Sequence, residues 1–188
     1  MTSSPNQHGR PHFAAPLVIG VLADTHVFAQ GSRRLPPEVG DLFARLRVGL
    51  ILHAGDINTR SVLDELERVA PTLAVRGNGD EVALQTTLPE IIDLTIGRFA
   101  CRLLHGHQQR TARATAQHHA SGVDCVVYGH SHIPKIEQIG STLLFNPGSP
   151  TDRRGQPHFS LGLLRVTDSA IEPELILFAD PRHLANVL

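Results

Sequence analysis

The chain has 188 residues, of which 41% are hydrophobic, and this size and composition suit one globular domain with a single core. Its 17 basic and 18 acidic residues give a formal net charge of -1, which excludes the overall positive field of a general nucleic-acid binder. No apolar stretch approaches the roughly 20 residues that a membrane-spanning helix needs. We therefore expect no membrane association and no stable nucleic-acid complex.

Residues 1–16 are rich in polar residues and proline and lack the apolar segment of a signal peptide, so we expect a flexible tail and a cytoplasmic protein. Residues 17–188 are expected to form one domain. Both cysteines, Cys101 and Cys125, lie inside apolar runs. That placement is typical of buried thiols in a reducing compartment and not of a disulfide framework.

Strand and helix patterns alternate in the first half of the domain. Apolar runs predict strands at 17–23, 49–55 and 72–77, and helical periodicity occupies the intervening segments 37–47 and 59–70. This order is typical of a parallel sheet with right-handed crossover connections.

The second half contains mostly strands. Segments 90–96 and 99–105 are close enough to predict an antiparallel hairpin, a short helix is expected at roughly 110–121, and a strand follows at 123–129. The segments after residue 134 are again mostly strands. We therefore predict an α/β fold in which two β-sheets pack face to face with helices outside.

Polar residues that can bind a metal follow most of these predicted strands. Because the carboxyl ends of strands form the ligand-binding edge of open α/β sheets, we expect these side chains to converge. Each residue alone is common in turns and loops, but their joint occurrence indicates a metal centre. The candidate ligands are Asp24, His26, Asp56, Asn78, His105, His130 and His132.

The types of these side chains restrict the metal. Carboxylate, imidazole and amide ligands without a thiolate suit divalent transition metals, with manganese as the first choice and nickel, iron, cobalt or zinc as alternatives. The set is too large for one four-coordinate zinc. It fits two ions about 3.5 to 4 Å apart that share one bridging carboxylate, as in a dinuclear centre.

In order and combination, the motifs resemble those of the calcineurin-like metallophosphoesterases. The small size and a further motif resemble the compact bacterial and archaeal phosphodiesterase branch of the YfcE/MJ0936 type. The resemblance covers about residues 17–180 and implies a four-layer αββα sandwich of two mixed β-sheets flanked by helices. The motifs are Asp24-Thr25-His26, Gly55-Asp56, Gly77-Asn78, His105-Gly106-His107, Gly129-His130-Ser131-His132 and Asn146-Pro147-Gly148-Ser149.

The resemblance also implies how the ligands are divided between two metals. Asp56 would bridge the two ions and is, with His107, a candidate catalytic residue. His107 is a candidate for contacting the substrate phosphate or orienting a ligand, although a partly exposed loop histidine explains it equally well. The first metal would be held by Asp24, His26, Asp56 and His132, and the second by Asp56, Asn78, His105 and His130.

One position departs from the family pattern. Many larger relatives carry a histidine directly after the ligand asparagine, where it can protonate the leaving group, whereas this chain has Gly79 after Asn78. The identity of any general acid is therefore open. The departure weighs more against efficient monoester hydrolysis than against diester hydrolysis.

The expected function is that of a phosphoric diester hydrolase, which would cleave a small or exposed phosphodiester with a metal-bound hydroxide as nucleophile. A phosphomonoesterase or nucleotide pyrophosphatase on the same centre is one alternative. The other alternative is a non-catalytic metal-binding scaffold, as in a related eukaryotic coat-complex subunit. A homo-oligomer is compatible with all of these functions. Seven Phe, one Tyr and no Trp argue against recognition of nucleobases by stacking.

Overall fold

The computed structural model describes residues 4–5 and 9–187, with side chains described from residue 9 onward. A 3-10 helix at Pro181–Asn186 follows the last strand. In chain order the other elements are β1 (Ser4–Pro5), β2 (Pro11–Phe13), β3 (Leu17–Leu22), α1 (Pro37–Arg45), β4 (Leu50–His53), α2 (Arg60–Glu67), β5 (Thr72–Ala74), α3 (Val82–Thr87), β6 (Ile91–Ile96), β7 (Phe99–Leu104), α4 (Ala112–His118), β8 (Cys125–Val127), β9 (Lys135–Ile139), β10 (Thr142–Asn146), β11 (Phe159–Val166) and β12 (Ile171–Phe178).

The first half of the chain builds most of a five-stranded sheet with the strand order β12-β11-β3-β4-β5. Strands β3, β4 and β5 run parallel, with α1 and α2 as the crossover connections, which confirms the predicted alternation. Helix α1 begins at Pro37, where the missing backbone N–H is not needed, and buries Val39, Leu42 and Phe43 along one face. The parallel arrangement brings the carboxyl ends of β3, β4 and β5 to one edge.

The other sheet has seven strands in the order β1-β2-β6-β7-β8-β10-β9, and five of them, β6 to β10, come from residues 91–146. Strands β6 and β7 form the predicted antiparallel hairpin, and β8 lies parallel to both β7 and β10. Cys101 and Cys125 are register partners on β7 and β8 and are buried free thiols, as the apolar runs predict. The carboxyl ends of β7 and β8 therefore point to the same edge of this sheet.

The two sheets pack face to face around an apolar layer. Ile19 and Leu52 of the five-stranded sheet share this layer with Leu103, Val127 and Phe145 of the other sheet. Full burial of each such side chain stabilises the fold by about 1.5 to 3 kcal/mol. Helices α1 and α2 cover the outer face of the five-stranded sheet, and α4 covers the outer face of the other. The four-layer αββα prediction is thus confirmed.

The flexible tail predicted for residues 1–16 is wrong for the part nearest the domain. Strand β2 pairs in parallel with β6, with His12 opposite Thr95, and Phe13 packs against the layer between the sheets. This strand forms hydrogen bonds with backbone groups that the edge of β6 would otherwise expose. It was not predicted because it has only three residues and lies among polar residues and prolines. The tail prediction for 1–3 and 6–8 lies outside the described residues.

Two further elements were not predicted from the sequence. The segment after residue 80 contains the short helix α3, and the chain finishes its described part in the 3-10 helix at Pro181–Asn186. Within residues 9–187, every helix is too short or too polar to traverse a bilayer.

Candidate metal centre

The loops after β3 and β4 are fastened to each other by backbone hydrogen bonds. The N–H of Asp24 donates to the carbonyl of Gly55 at 3.0 Å, and the N–H of His26 donates to the carbonyl of Asp56 at 3.0 Å. This parallel pairing continues the ladder beyond the strands. Side chains that follow both strands therefore leave the sheet in fixed relative positions.

Candidate ligands in these loops have strained backbones. Left-handed φ angles occur at Asp24 (55°), His26 (45°), Asp56 (53°), His130 (68°) and His132 (59°). None of these is glycine, so each conformation costs roughly 1 kcal/mol or more. These conformations are maintained by the packing of the surrounding loops and not by local preference. Clusters of strained residues of this kind are typical of functional sites.

The structure gathers the predicted histidine and aspartate ligands into two groups, each with all its ligand atoms within 4.8 Å of one another. Asp56 lies between the groups, since its Oδ2 is 3.3 Å from His105 Nε2 and 3.5 Å from His26 Nε2. The first triad consists of Asp24, His26 and His132, and the second triad of Asp56, His105 and His130.

In the first triad, two imidazole nitrogens face each other. His26 Nε2 and His132 Nε2 are 3.2 Å apart, and His132 Nε2 is 3.6 Å from Asp24 Oδ1. Nitrogens that each lie about 2.1 Å from one ion would be about 3.0 to 3.4 Å apart, so this spacing suits shared ligation. Burial lowers the pKa of both rings, to about 4 for His132, which keeps their lone pairs free near neutral pH.

The Asp24 carboxylate is completely buried and only partly satisfied. Its Oδ1 accepts the N–H of His130 at 3.1 Å, while its Oδ2 has no hydrogen-bond partner among the described residues. Burial raises the pKa of Asp24 to about 8. A buried carboxylate oxygen without a donor would be compensated by a cation, so the residues present fit a bound metal.

The carboxylate of the second triad is better satisfied than that of the first, whereas His105 Nε2 and His130 Nδ1 are buried without a hydrogen-bond partner among the described residues. His105 Nδ1 donates to the carbonyl of Ala54 at 2.7 Å, which leaves Nε2 directed at Asp56 and free to bind a metal. Asp56 Oδ1 accepts the N–H of Gly79 at 2.7 Å. Although burial alone would raise the pKa of Asp56, the contact with His105 and the Gly79 N–H hold it well below its usual range.

The loop after β5 packs directly on Asp56. A Cβ atom at Gly77 would lie 2.1 Å from Asp56 Oδ1, so only glycine fits there. Asp80 fixes the loop by accepting the N–H groups of Ile57 at 2.6 Å, Asn58 at 2.7 Å and Gly77 at 2.7 Å. Sequence reasoning missed this role of Asp80, although its position in the same motif as Gly77 was a usable signal.

Asn78 lies between the glycines that contact Asp56, and its side chain is exposed. The loop thus carries it on the same edge as the second triad. A Cβ at Gly79 would lie 3.0 Å from Asp56 Oδ1, so a side chain in this position would start beside the proposed bridge.

Other histidines surround the two triads. The ring centroid of His107 lies 5.4 Å from that of His105 and 6.3 Å from that of His130, so the structure places His107 beside the second triad. His53 is buried behind the first ligand loop, with Nε2 3.1 Å from the hydroxyl of Thr25. Burial lowers the pKa of His53 to about 3, as expected of a neutral core histidine.

The segment after β10 clamps the first triad. Ser149 Oγ donates to the carbonyl of Asp24 at 2.8 Å, the Thr151 hydroxyl donates to the carbonyl of Thr25, and His132 Nδ1 donates to the carbonyl of Asp152. The last bond leaves His132 Nε2 pointing at the other ligands. Because three contacts act on two loops, this segment fixes the geometry of the first triad.

Two consecutive arginines, Arg153 and Arg154, follow Asp152 in this segment and have different surroundings. Arg153 donates to the carbonyl of Gln156 at 2.7 Å and lies 5.7 Å above the ring of Phe159. Arg154 has a left-handed φ of 46° and no ion-pair partner among residues 9–187. Burial is the main cause of the lowered pKa of His26, His130 and His132, and the positive charge of Arg154 contributes to each of these shifts to a smaller degree.

Two sheets joined at one edge by aspartate and histidine triads are the arrangement that the motifs of the calcineurin-like metallophosphoesterases imply. The chain belongs to the calcineurin-like phosphoesterase superfamily, whose domain model matches residues 17–169. This confirms the resemblance found in the motifs.

Three curated relatives of the chain come from archaea. It is 36% identical over 161 residues to a probable metallophosphoesterase of Methanocaldococcus jannaschii, covering 85% of this chain and 81% of that protein. It is 34% identical over 170 residues to a probable metallophosphoesterase of Methanothermobacter thermautotrophicus, covering 88% and 95%. Phosphodiesterase MJ0936 of M. jannaschii is 27% identical over 143 residues, which cover 69% and 82%.

Solved structures share the fold. Vps29 of Entamoeba histolytica complexed with zinc superposes with a TM-score of 0.68 at 27% identity, over 86% of this chain and 99% of that chain. An archaeal phosphodiesterase superposes with a TM-score of 0.68 at 23% identity, over 86% and 100%.

Proposed function

We propose that this protein is a metal-dependent phosphodiesterase that hydrolyses a small or exposed phosphodiester at a dinuclear centre. The observation that carries the proposal is the pair of triads with Asp56 between them, within a family of phosphoesterases. In this assignment the first metal is held by Asp24, His26, Asp56 and His132, and the second by Asp56, Asn78, His105 and His130.

Two divalent cations bound at this centre would neutralise charge on the phosphoryl oxygens and lower the pKa of a coordinated water. We assign manganese first, because oxygen and imidazole donors without thiolate suit it, and nickel, iron, cobalt and zinc as alternatives.

The protein's own groups position the substrate. Arg154, whose charge reaches both triads and lacks a partner among the described residues, is assigned to a non-bridging phosphate oxygen. His107 beside the second triad is assigned to the same phosphate group from the other side. Together they would align the diester for in-line displacement without acting as nucleophiles.

Gly79 favours diesters over monoesters in this proposal. No acid side chain is available at the position where larger relatives carry one, so substrates with good leaving groups are expected to react fastest. A phosphomonoesterase or nucleotide pyrophosphatase on the same centre stays the enzymatic alternative. The likeness to Vps29 keeps a metal-binding scaffold as the alternative from another class.

The test compares two matched substitutions in metal-loaded protein. Asp56→Asn is expected to lower hydrolysis of bis(p-nitrophenyl) phosphate with Mn²⁺ or Ni²⁺ by about a thousandfold, about 4 kcal/mol of transition-state stabilisation. Asp41→Asn, on the exposed face of α1, is expected to retain full activity. Full activity in Asp56→Asn would refute the bridging role, and faster hydrolysis of p-nitrophenyl phosphate than of the diester would favour the monoesterase.

A further inference from the structure

An aromatic side chain stands exposed beside the first triad. Phe28 follows the ligand His26 by two residues and is 49% exposed, which is unusual for a phenylalanine ring. Its ring stacks on that of His26 at an interplanar angle of 22°, with centroids 6.5 Å apart. The ring therefore has a fixed relation to the proposed metal centre and one face open to solvent.

Phe28 also lines a cavity of about 290 Å³. This volume is close to the lower end, about 300 Å³, of small-molecule sites. Apolar walls come from Val27, Leu35 and Val62. The cavity thus lies between the segment that carries Phe28 and the start of α2.

The polar side of the cavity carries hydroxyl groups and a carboxylate. Thr59 and Ser61 lie there with their hydroxyl oxygens 2.9 Å apart, and Glu65 follows one helical turn later. Arg34 also lines the cavity, but its Nη1 donates to the carbonyls of Gly31 at 2.6 Å and Arg33 at 2.7 Å. The negative charge of Glu65 would repel a second phosphate group. Hydroxyl and carboxylate oxygens can instead form hydrogen bonds with the hydroxyl groups of a sugar.

We propose that Phe28 and this cavity form the subsite for one substituent of the phosphodiester, and that this substituent is a nucleoside. The base would stack on the open face of Phe28 and the sugar hydroxyls would meet Thr59, Ser61 and Glu65. This inference rests on the proposed function, because the phosphate must lie at the triads to place its substituent over Phe28. It also departs from the expectation, drawn from the low aromatic content, which argued against recognition of nucleobases by stacking.

A binding test needs no turnover. The chain has no tryptophan, so Phe28→Trp places a single, selectively excitable tryptophan at the proposed platform, and Val82→Trp provides a control at a side chain that is 77% exposed. Guanosine 5′-monophosphate is expected to quench the fluorescence of the Phe28→Trp variant saturably, whereas ribose 5-phosphate leaves its emission unchanged. Linear quenching of equal slope in both variants would overturn the subsite.

A kinetic test uses two diesters with the same leaving group. Wild-type protein is expected to prefer thymidine 5′-(p-nitrophenyl phosphate) to methyl p-nitrophenyl phosphate in kcat/KM. Stacking on one side chain is worth about fivefold or more, so Phe28→Ala is expected to reduce this preference by at least that factor. Val82→Ala should leave it unchanged.

The two tests separate failure of the subsite from failure of the proposed function. An unchanged substrate preference in active Phe28→Ala protein overturns the subsite alone. Wild-type protein that cleaves neither diester overturns the proposed function, while saturable quenching of the Phe28→Trp variant by the nucleotide would still support a nucleoside-binding site beside the first triad.

Discussion

The two triads contain the same kinds of candidate ligand but differ in how many hydrogen bonds the protein donates to their carboxylates. Asp56 in the second triad receives the N–H of Gly79 and contacts His105, and its pKa lies well below the usual range despite burial. Asp24 in the first triad has one oxygen without a donor among the described residues, and burial raises its pKa to about 8. The carboxylate of the second triad is therefore stabilised by the protein itself, whereas one carboxylate oxygen of the first triad, Asp24 Oδ2, receives no donor from the described residues.

This difference separates two ways of building a metal site. The second triad uses local backbone donors and a glycine loop to stabilise its carboxylate before any metal binds. The first triad uses an external clamp from the segment after β10, which fixes positions but supplies no donor to Asp24 Oδ2. Metal binding should consequently contribute more to the stability of the first triad than of the second.

The largest expected effect on stability follows from metal binding itself. A divalent ion at a hundred times its Kd is expected to raise the free energy of unfolding by about 2.7 kcal/mol, because it binds only the folded protein. Thermal unfolding of chelator-treated protein, with and without added Mn²⁺, measures this shift. Asp24→Asn should remove most of it at moderate Mn²⁺ concentrations, and an unchanged shift in that variant would contradict the contrast between the triads.

In metal-free protein, substitution of Asp56 should lower the free energy of unfolding more than substitution of Asp24 does. Asp56→Asn is expected to destabilise it by about 2 kcal/mol, since the substitution removes a buried, charge-assisted acceptor. Asp24→Asn should change stability by less than about 1 kcal/mol, because burial already favours the neutral form of that carboxyl. Denaturant unfolding in the presence of a chelator distinguishes the two, and equal losses would show that the triads are satisfied alike.

Arg154 provides a smaller test at the edge of both triads. Arg154→Ala is expected to raise KM for a diester about tenfold, equivalent to about 1.4 kcal/mol, with a lesser change in kcat. Arg153→Ala is the matched control, since that side chain lies over Phe159 and should affect KM little. Steady-state kinetics on both variants decide the matter; identical effects would mean that Arg154 does not contact the phosphate.

The smallest expected effect lies outside the metal centre, in an ordinary ion pair. Arg102 donates to both oxygens of Asp93, at 2.6 and 3.0 Å, and this hydrogen bonding lowers the pKa of Asp93. The pair therefore stabilises the fold above the unfolded-state pKa, about 3.9, and the contribution is lost as pH falls through the lower folded-state value. For a partly exposed pair we expect at most about 1 kcal/mol.

Unfolding of wild-type protein and Asp93→Asn between pH 3 and pH 7 tests this contribution. The difference between the two proteins should be fully present at pH 7 and diminish as pH falls below about 3.9. A difference that grew as pH fell would contradict the assignment.

The sequence predicted those parts of the molecule that depend on regular patterns. Apolar runs located β3, β4 and β5, and the residues after them identified the edge where Asp24 and Asp56 meet. Strand β2 was missed because a three-residue segment is too short to show an alternating pattern, and its pairing with β6 is a long-range contact. The motif that contains Ser149 was visible in the sequence, but its hydrogen bond to Asp24 depends on the packing of distant segments.

Local chemistry also limited what could be predicted within the site. Asp80 and Phe28 are ordinary loop residues in the sequence, and only the structure places Asp80 under three N–H groups and Phe28 on His26. Their roles come from tertiary neighbours and not from spacing along the chain.

The composition of the first triad has a consequence for the order of folding. Asp24 and His26 follow a strand of one sheet, while His132 follows a strand of the other and is separated from His26 by more than half of the chain. No early intermediate with a single sheet can hold the ion there, so metal capture must come after the two sheets dock. An ion bound this late would leave the folding rate nearly unchanged and instead slow unfolding, lengthening the lifetime of the folded protein.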